Sequence, residues 1–385
     1  MTKRADIAQL PNGRLLPLDG VRGLAVLIVI IHNSAWIAGE SEHLLLKLTN
    51  ATIATGWIGV QLFFVLSGFL ITGILIDTKS KPRFFRSFYM RRTLRIFPLY
   101  YVVIALTIVI GPLVAWSPVW AESVRHSHQW AYWVYVQNWI TTSPGIDALS
   151  HTWSLAVEEQ FYLMWPVIIW LVGRRGLTNL CLVAMLGTPF IRLALWLPGI
   201  APNSAYVFTI ARWDALAAGA LVAVLVRDDV GRKVLVRWQG RLAGLAGVAT
   251  VALVVVERGF HSFEFSVQVI GQSLIAILSA SLIAFAVAEG PSAPRRLQAF
   301  LSLEGLRTLG KYSYAMYLFH QPIQQLLSPV LGEEVRGADT PWRLARLTLY
   351  ILLVLVLTFA ASLVSWRLIE KPFLDLKDRL APRAG

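Results

Sequence analysis

His32 lies within the first long apolar run of the chain, which begins at Gly23. A titratable ring in hydrocarbon is costly; such groups face a cavity or a bundle interior and mark a working site. Imidazole is also the side chain whose proton affinity suits acid–base chemistry near neutral pH. Arg22 precedes it by ten residues, about 15 Å along a helix axis. That spacing sets the arginine near one membrane surface and His32 near mid-membrane or slightly beyond. Asp19 stands where a helix N-cap would. Blander roles exist for both: Arg22 can snorkel to lipid phosphate, and His32 can hold two helices together by a hydrogen bond.

Four further constellations could carry chemistry. His151-Thr152-Trp153-Ser154 opens an apolar segment that contains adjacent acids, Glu158 and Glu159, with Tyr162 four residues after the first. Adjacent residues point about 100° apart on a helix, so the two acids have different roles, whereas Tyr162 shares the face of Glu158. One acid can pair with a buried Arg or His; the other can sit at the positive end of the helix dipole. Arg91 and Arg95 share a helical face beside Arg92 and can grip phosphate in forked pairs, or simply mark a cytoplasmic loop. Arg212 and Asp214 are charges inside an apolar run that need partners. Ser313, Tyr317 and His320 form a polar stripe on one helix face, a pattern that also serves helix–helix hydrogen bonding.

The elements that must position these residues are membrane spans. The 385-residue chain is 56% hydrophobic and only 15% charged, against about 25% charged for soluble domains, and its mean hydropathy is +0.60. The expected fold is an all-α, polytopic membrane helix bundle. Ten segments have the length of a span: roughly 21–39, 56–76, 97–116, 155–173, 178–197, 206–226, 242–257, 266–288, 309–330 and 344–366. With the N- and C-termini in the cytoplasm, 27 Lys and Arg fall on the inside and 6 on the outside, the bias expected for cytoplasmic loops. The net charge of +13 is explained this way, and no nucleic-acid-binding signature accompanies it.

The domain reading is a single membrane-embedded unit over 1–373 and a short basic cytoplasmic tail over 374–385. The single cysteine, Cys181, excludes disulfides and cysteine-ligated metal by count, and no metal site is expected. Ser34-Ala35-Trp36 is a poor cleavage site, so the first span is read as uncleaved. The segment 117–154 carries Trp130, Trp133, Tyr135 and Trp139, residues at home at the membrane interface, and is expected to form short helices along the outer face. No G-x-S-x-G elbow, Walker A loop or H-E-x-x-H motif is present.

Several motifs, taken together, resemble the acyltransferase 3 family of integral membrane acyltransferases. They are Leu18-Asp19-Gly20-Val21-Arg22-Gly23, Phe63-Phe64-Val65-Leu66-Ser67-Gly68-Phe69, Arg91-Arg92 with Arg95 and Pro98, and Thr152-Trp153-Ser154-Leu155 with Glu158-Glu159-Gln160-Phe161-Tyr162. Gly310 with Ser313-Tyr314, Tyr317, His320 and Pro322, and Ile369-Glu370-Lys371-Pro372-Phe373, complete the set. The motifs stand in family order from about 15 to 373. The resemblance implies a ten-helix core in the cell inner membrane. It implies transfer of an acyl group, often acetyl, from cytoplasmic acyl-CoA to an acceptor reached from outside: a cell-envelope glycan, a lipid-linked acceptor or a small molecule. The family's functional histidine maps onto His32, its preceding arginine onto Arg22, its basic inner motif onto Arg91, Arg92 and Arg95, and its fourth-span acid onto Glu158. Some relatives append an extracellular domain. The sequence stops after the core, so the expectation is action alone or with a separate partner.

The expected mechanism follows. Acyl-CoA, with acetyl-CoA as the expected form, is a co-substrate, and no cofactor is tightly bound. Arg91, Arg92 and Arg95, with Arg22, hold its phosphates. His32 deprotonates an acceptor hydroxyl, and Glu158 orients the imidazole. Asn33, Ser67 or Tyr162 donates to the oxyanion; His151, Trp153, Arg212, Asp214 and His320 are further substrate or oxyanion candidates. An acyl-His32 intermediate is a variant route. The competing class is a transporter in which the same buried groups form a proton relay; no matched pair of broken spans supports it.

Overall fold

The computed structural model describes residues 15–34, 37, 39, 43–114, 118–140, 145–197, 203–290, 293–336 and 340–380. The N-terminal stretch to Arg14, Ala35-Trp36 and the tail end Ala381–Gly385 lie outside the described residues. Every regular element among the described residues is helical. Apolar runs of this length leave the backbone no other way to satisfy its own N–H and C=O groups in a bilayer.

Ten main helices follow one another: α1 (Leu16–Ser34), α2 (Ile58–Thr78), α3 (Phe84–Ala105), α4 (Trp153–Leu171), α5 (Arg174–Leu195), α6 (Trp213–Leu225), α7 (Asp229–Glu257), α8 (Gln272–Ala286), α9 (Glu304–Arg336) and α10 (Thr340–Ser365). Among the described residues, seven stretches are long and apolar enough to cross a membrane: Leu16–Ser34, Leu45–Thr78, Phe84–Leu113, Arg174–Leu195, Asp229–Glu257, Val267–Ala286 and Pro341–Lys377. The three main helices outside that set carry the polar motifs: α4 holds both acids, α9 the serine–tyrosine–histidine stripe, and α6, only 13 residues long, follows Arg212 and holds Asp214. The segment from Pro118 to Thr152 folds as short helical pieces, Pro118–His126, Gln129–Trp133, Gln137–Trp139 and Asp147–Thr152.

Two tightly packed helix pairs set the frame. Helix α1 lies against α9, where a methyl group on Gly23 would overlap the Leu306 carbonyl and one on Gly310 the Asp19 carbonyl. Helix α2 lies against α6, with Gly68 facing the Leu216 carbonyl and Gly219 the Val65 carbonyl. Small residues allow such backbone contact between membrane helices, where van der Waals packing drives association. The apolar core forms two large clusters, both of which reach α1 and α3, and a small one around Trp57. One large cluster also joins α2, α4 and α6; the other also joins α9 and α10 with the short pieces before α4. The polar residues of α4 sit at the seam.

Candidate active site

His32 occupies the last turn of α1. It lies against Gly56, where any Cβ would collide with the His32 side chain. Its Nδ1 donates to the Ile53 carbonyl at 2.8 Å. In the neutral ring this fixes the tautomer and leaves the Nε2 lone pair as the basic site. The neighbouring Asn33 donates from Nδ2 to Nε2 of His320 at 3.0 Å, and His320 donates from Nδ1 to the Tyr317 carbonyl at 2.6 Å. The His151 ring packs 4.7 Å from that of His320 and 5.2 Å from that of Tyr317. Neither His151 nitrogen makes a well-formed hydrogen bond, although Gln321 and the Leu318 carbonyl are near. Burial, with His320 beside it, holds the His151 imidazole well below its ordinary range, so the ring is neutral at neutral pH. The hydroxyls of Ser154 and Tyr317 are 2.5 Å apart, next to the His151 carbonyl.

Glu158 belongs to a second cluster. Ser67 donates to its Oε1 at 2.6 Å and Tyr162 to its Oε2 at 3.1 Å, with the two hydroxyls 3.0 Å apart. The expected Glu158–His32 contact is therefore corrected. The histidine's Nδ1 is taken by a backbone carbonyl, and both carboxylate oxygens are taken by hydroxyls. Depth is the reason: Ser67 lies eleven residues beyond the glycine that touches His32, about 16 Å along the helical chain.

The arginines also divide. Arg92 places its guanidinium 4.2 Å from the centre of the Tyr162 ring and interacts with both Glu158 and Glu159. It thus departs from the outward phosphate grip expected of all three. Arg91 is half-buried and Arg95 exposed, and Arg95 interacts with Glu370. Arg22 lies 3.5 Å from Asp19 and also acts electrostatically on Glu158. A polar track thus runs through the bundle, from Arg22 and Arg92 through Glu158, Ser67 and Tyr162 to Tyr317, His151, His320 and His32.

On the far side of this track Arg212 is 1% exposed. Its Nε donates to the Tyr206 carbonyl at 2.6 Å and its Nη1 to Gln61 at 3.1 Å. Its guanidinium carbon lies 4.2 Å from the centre of the Tyr206 ring and 5.1 Å from that of Trp153. Asp214 is paired with Arg192, at 2.8 Å, and also accepts from Ser273. Sequence reading had not assigned Arg192, Gln61, Tyr206 or Ile53 to this neighbourhood. Arg192 and Gln61 left a signal, a polar side chain inside an apolar run; a backbone carbonyl leaves none. No group of His, Cys, Asp and Glu suited to a metal ion occurs among the described residues.

A family model described as an acyltransferase domain matches residues 16–367. The chain is 29% identical over 373 residues to the peptidoglycan O-acetyltransferase OatA of Listeria monocytogenes, covering 92% of this chain and 55% of that protein. It is 28% identical over 384 residues to the O-acetyltransferase OatA of Staphylococcus aureus, covering 93% and 57%. It is 29% identical over 382 residues to the putative peptidoglycan O-acetyltransferase YrhL of Bacillus subtilis, covering 93% and 55%. The chain thus spans a little over half the length of these relatives. No solved structure matches.

Proposed function

The chain belongs to the acyltransferase 3 family, and from that premise we propose that it is a multi-pass inner-membrane O-acetyltransferase. It moves an acetyl group from cytoplasmic acetyl-CoA to a hydroxyl of a cell-wall glycan. The relatives named for peptidoglycan O-acetylation support the acceptor class. All ten main helices cross the membrane in this reading, with both termini in the cytoplasm, and the excess of Lys and Arg in the loops so assigned supports it.

The observation that carries the proposal is the tautomer of His32. A base must present a lone pair while its other nitrogen is held. Here the Ile53 carbonyl holds Nδ1, which is the task first expected of Glu158. Arg91 and Arg95 at the cytoplasmic mouth, with Arg22 deeper, grip the CoA phosphates. The pantetheine arm passes the cluster of Arg92, Glu158, Ser67 and Tyr162. The acceptor hydroxyl enters from the outer side, beneath the aromatic pieces around Trp133 and Trp139. It loses its proton to His32 Nε2 as its oxygen attacks the thioester carbon.

The test is release of free CoA from acetyl-CoA by the purified protein, with and without a peptidoglycan-derived glycan. Wild type is compared with His32→Ala and with Arg91→Ala plus Arg95→Ala. Release that needs His32, with radiolabel from the acetyl group appearing in the glycan, is the expected result. A folded wild type that cleaves none of several acyl-CoAs would overturn the reading.

A further inference from the structure

The oxyanion has no obvious host among the hydroxyls and amides of the track. Ser67 and Tyr162 direct their hydroxyls to Glu158 and to each other, and the Asn33 amide is engaged with His320. Arg212 differs. Its Nη2 is buried and makes no well-formed hydrogen bond in the protein, although the Tyr206 hydroxyl is near the guanidinium, and among the described residues no carboxylate forms an ion pair with it. The nearest acid in sequence, Asp214, has both oxygens in use: Oδ2 meets Arg192 and Ser273, and Oδ1 accepts from the Ala215 amide. A buried charge without a countercharge costs several kcal/mol of desolvation. Two aromatic faces and two neutral oxygens offset only part of that cost.

The geometry also says what the missing partner is. The single Nε–H is committed to the Tyr206 carbonyl, which removes the side-on fork that recognises carboxylate or phosphate through two parallel bonds. Nη2 remains without a well-formed hydrogen bond and has N–H groups to offer an oxygen atom. Its position is appropriate. Gln61, which holds Nη1, is five residues beyond Gly56, the glycine against His32, about 8 Å further along the chain axis. Trp153, which faces the guanidinium, follows His151 by two residues. The Tyr206 side chain, on the other face, lies in the neighbourhood of Tyr317. Arg212 thus borders the same seam as His32, from the α6 side.

We propose that Arg212 Nη2 binds the carbonyl oxygen of the acyl group and stabilises the oxyanion formed during transfer. This rests on the acyl-CoA reading above. The acceptor oxygen bonds to the thioester carbon while its proton passes to His32 Nε2. The carbonyl oxygen takes the charge and is held by Nη2. Collapse breaks the C–S bond, and the CoA thiolate recovers the proton from the imidazolium. A guanidinium already desolvated and fixed needs no reorganisation to meet this charge.

The test has two arms on the full chain in detergent. In the first, Arg212→Gln is compared with wild type for CoA release, with size-exclusion profile and melting temperature recorded. The expected result is a kcat lower by about 10²–10³-fold with the KM for acetyl-CoA little changed, a split that loss of scaffold integrity would not produce. In the second, His32→Ala, with Arg212 intact, is loaded with acetyl-CoA carrying carbon-13 in the carbonyl, and the isotope-edited infrared band is measured. A carbonyl held by the guanidinium absorbs at lower frequency than the free thioester. This arm decides the matter even if Arg212→Gln does not fold. Wild-type turnover that survives Arg212→Gln, or an unshifted band in loaded His32→Ala, overturns the role of Arg212 alone. Absence of turnover in wild type overturns the donor reading, and this role with it.

Discussion

Two buried arginines, Arg192 and Arg212, act on each other electrostatically, and their partners differ. Arg192 is 0% exposed and reaches five acceptors. Its Nη1 donates to the Ala211 carbonyl and to Gln272, and its Nη2 to Asp214, the Val269 carbonyl and Ser273. Its charge is neutralised and its bonds tie α5 to α6 and α8. Arg212 has two neutral acceptors, two aromatic faces and an idle nitrogen. Burial and charge are the same in both, and each leaves one nitrogen without a hydrogen bond, Nε in Arg192 and Nη2 in Arg212; among the described residues only Arg192 forms an ion pair with a carboxylate. A buried charge with its countercharge is a rivet, whereas one without is waiting for a ligand.

The comparison is tested most severely at Asp214. Replacing it with Asn strands the Arg192 charge in the interior, and breaking a buried pair from one side costs about 3–5 kcal/mol. We expect Asp214→Asn to lower the melting temperature sharply and to reduce the yield of monodisperse protein. Arg192→Met combined with Asp214→Leu should recover much of the loss, because removing both charges removes the stranded one. A melting curve for Asp214→Asn that overlays wild type would end the assignment of this pair to structure. Arg212→Gln should behave in the opposite sense. It leaves acceptors unpaired at roughly 1–2 kcal/mol, yet relieves an uncompensated charge, so its melting temperature should fall less than that of Asp214→Asn. Equal falls in the two would erase the distinction.

His32 offers the next, smaller test. Gly56→Ala places a methyl group where the His32 side chain already sits, so the ring must shift off the Ile53 carbonyl. General-base catalysis contributes typically about 10²–10⁴-fold, and a displaced base should forfeit part of that, on the order of 10²-fold. Acetyl-CoA affinity, measured by calorimetry, should be unchanged. Undiminished CoA release by Gly56→Ala would show that the histidine does not need this placement.

The sequence made the scaffold legible and the wiring only partly so. Among the described residues the apolar segments are helical, and seven of the ten lie in stretches long and apolar enough to cross a membrane, because hydrocarbon length and backbone satisfaction act on composition alone. The grouping of Glu158 with Tyr162 was legible too, since four residues bring side chains onto one helix face. The partner of His32 was not. Ile53 lies in the last turn of the short helix Leu44–Ala54, and its carbonyl accepts from His32 in addition to the Thr55 amide. Every residue has a carbonyl, so no residue type announces this one. The neighbours Arg212 and Asp214 also part company: residues two apart do not face each other, and Asp214 finds its arginine 22 residues upstream.

The smallest effect falls on the ring beneath Arg212. Tyr206 contributes through its backbone carbonyl to Nε, through its ring to the guanidinium face and, more weakly, through a hydroxyl near the guanidinium. A side-chain substitution leaves the carbonyl. Tyr206→Phe keeps the face, and CoA release should stay near wild type. Tyr206→Leu removes it, and a desolvated cation–π contact is worth about 2 kcal/mol. Part of that loss is shared by ground state and transition state, so only the remainder slows the reaction, by about tenfold for each 1.4 kcal/mol. The same substitution in the Arg192 neighbourhood has no counterpart, because no ring lies under that guanidinium among the described residues. Two variants at Tyr206 with equal rates would mean that the ring only fills space, and that Arg212 is held by its hydrogen bonds alone.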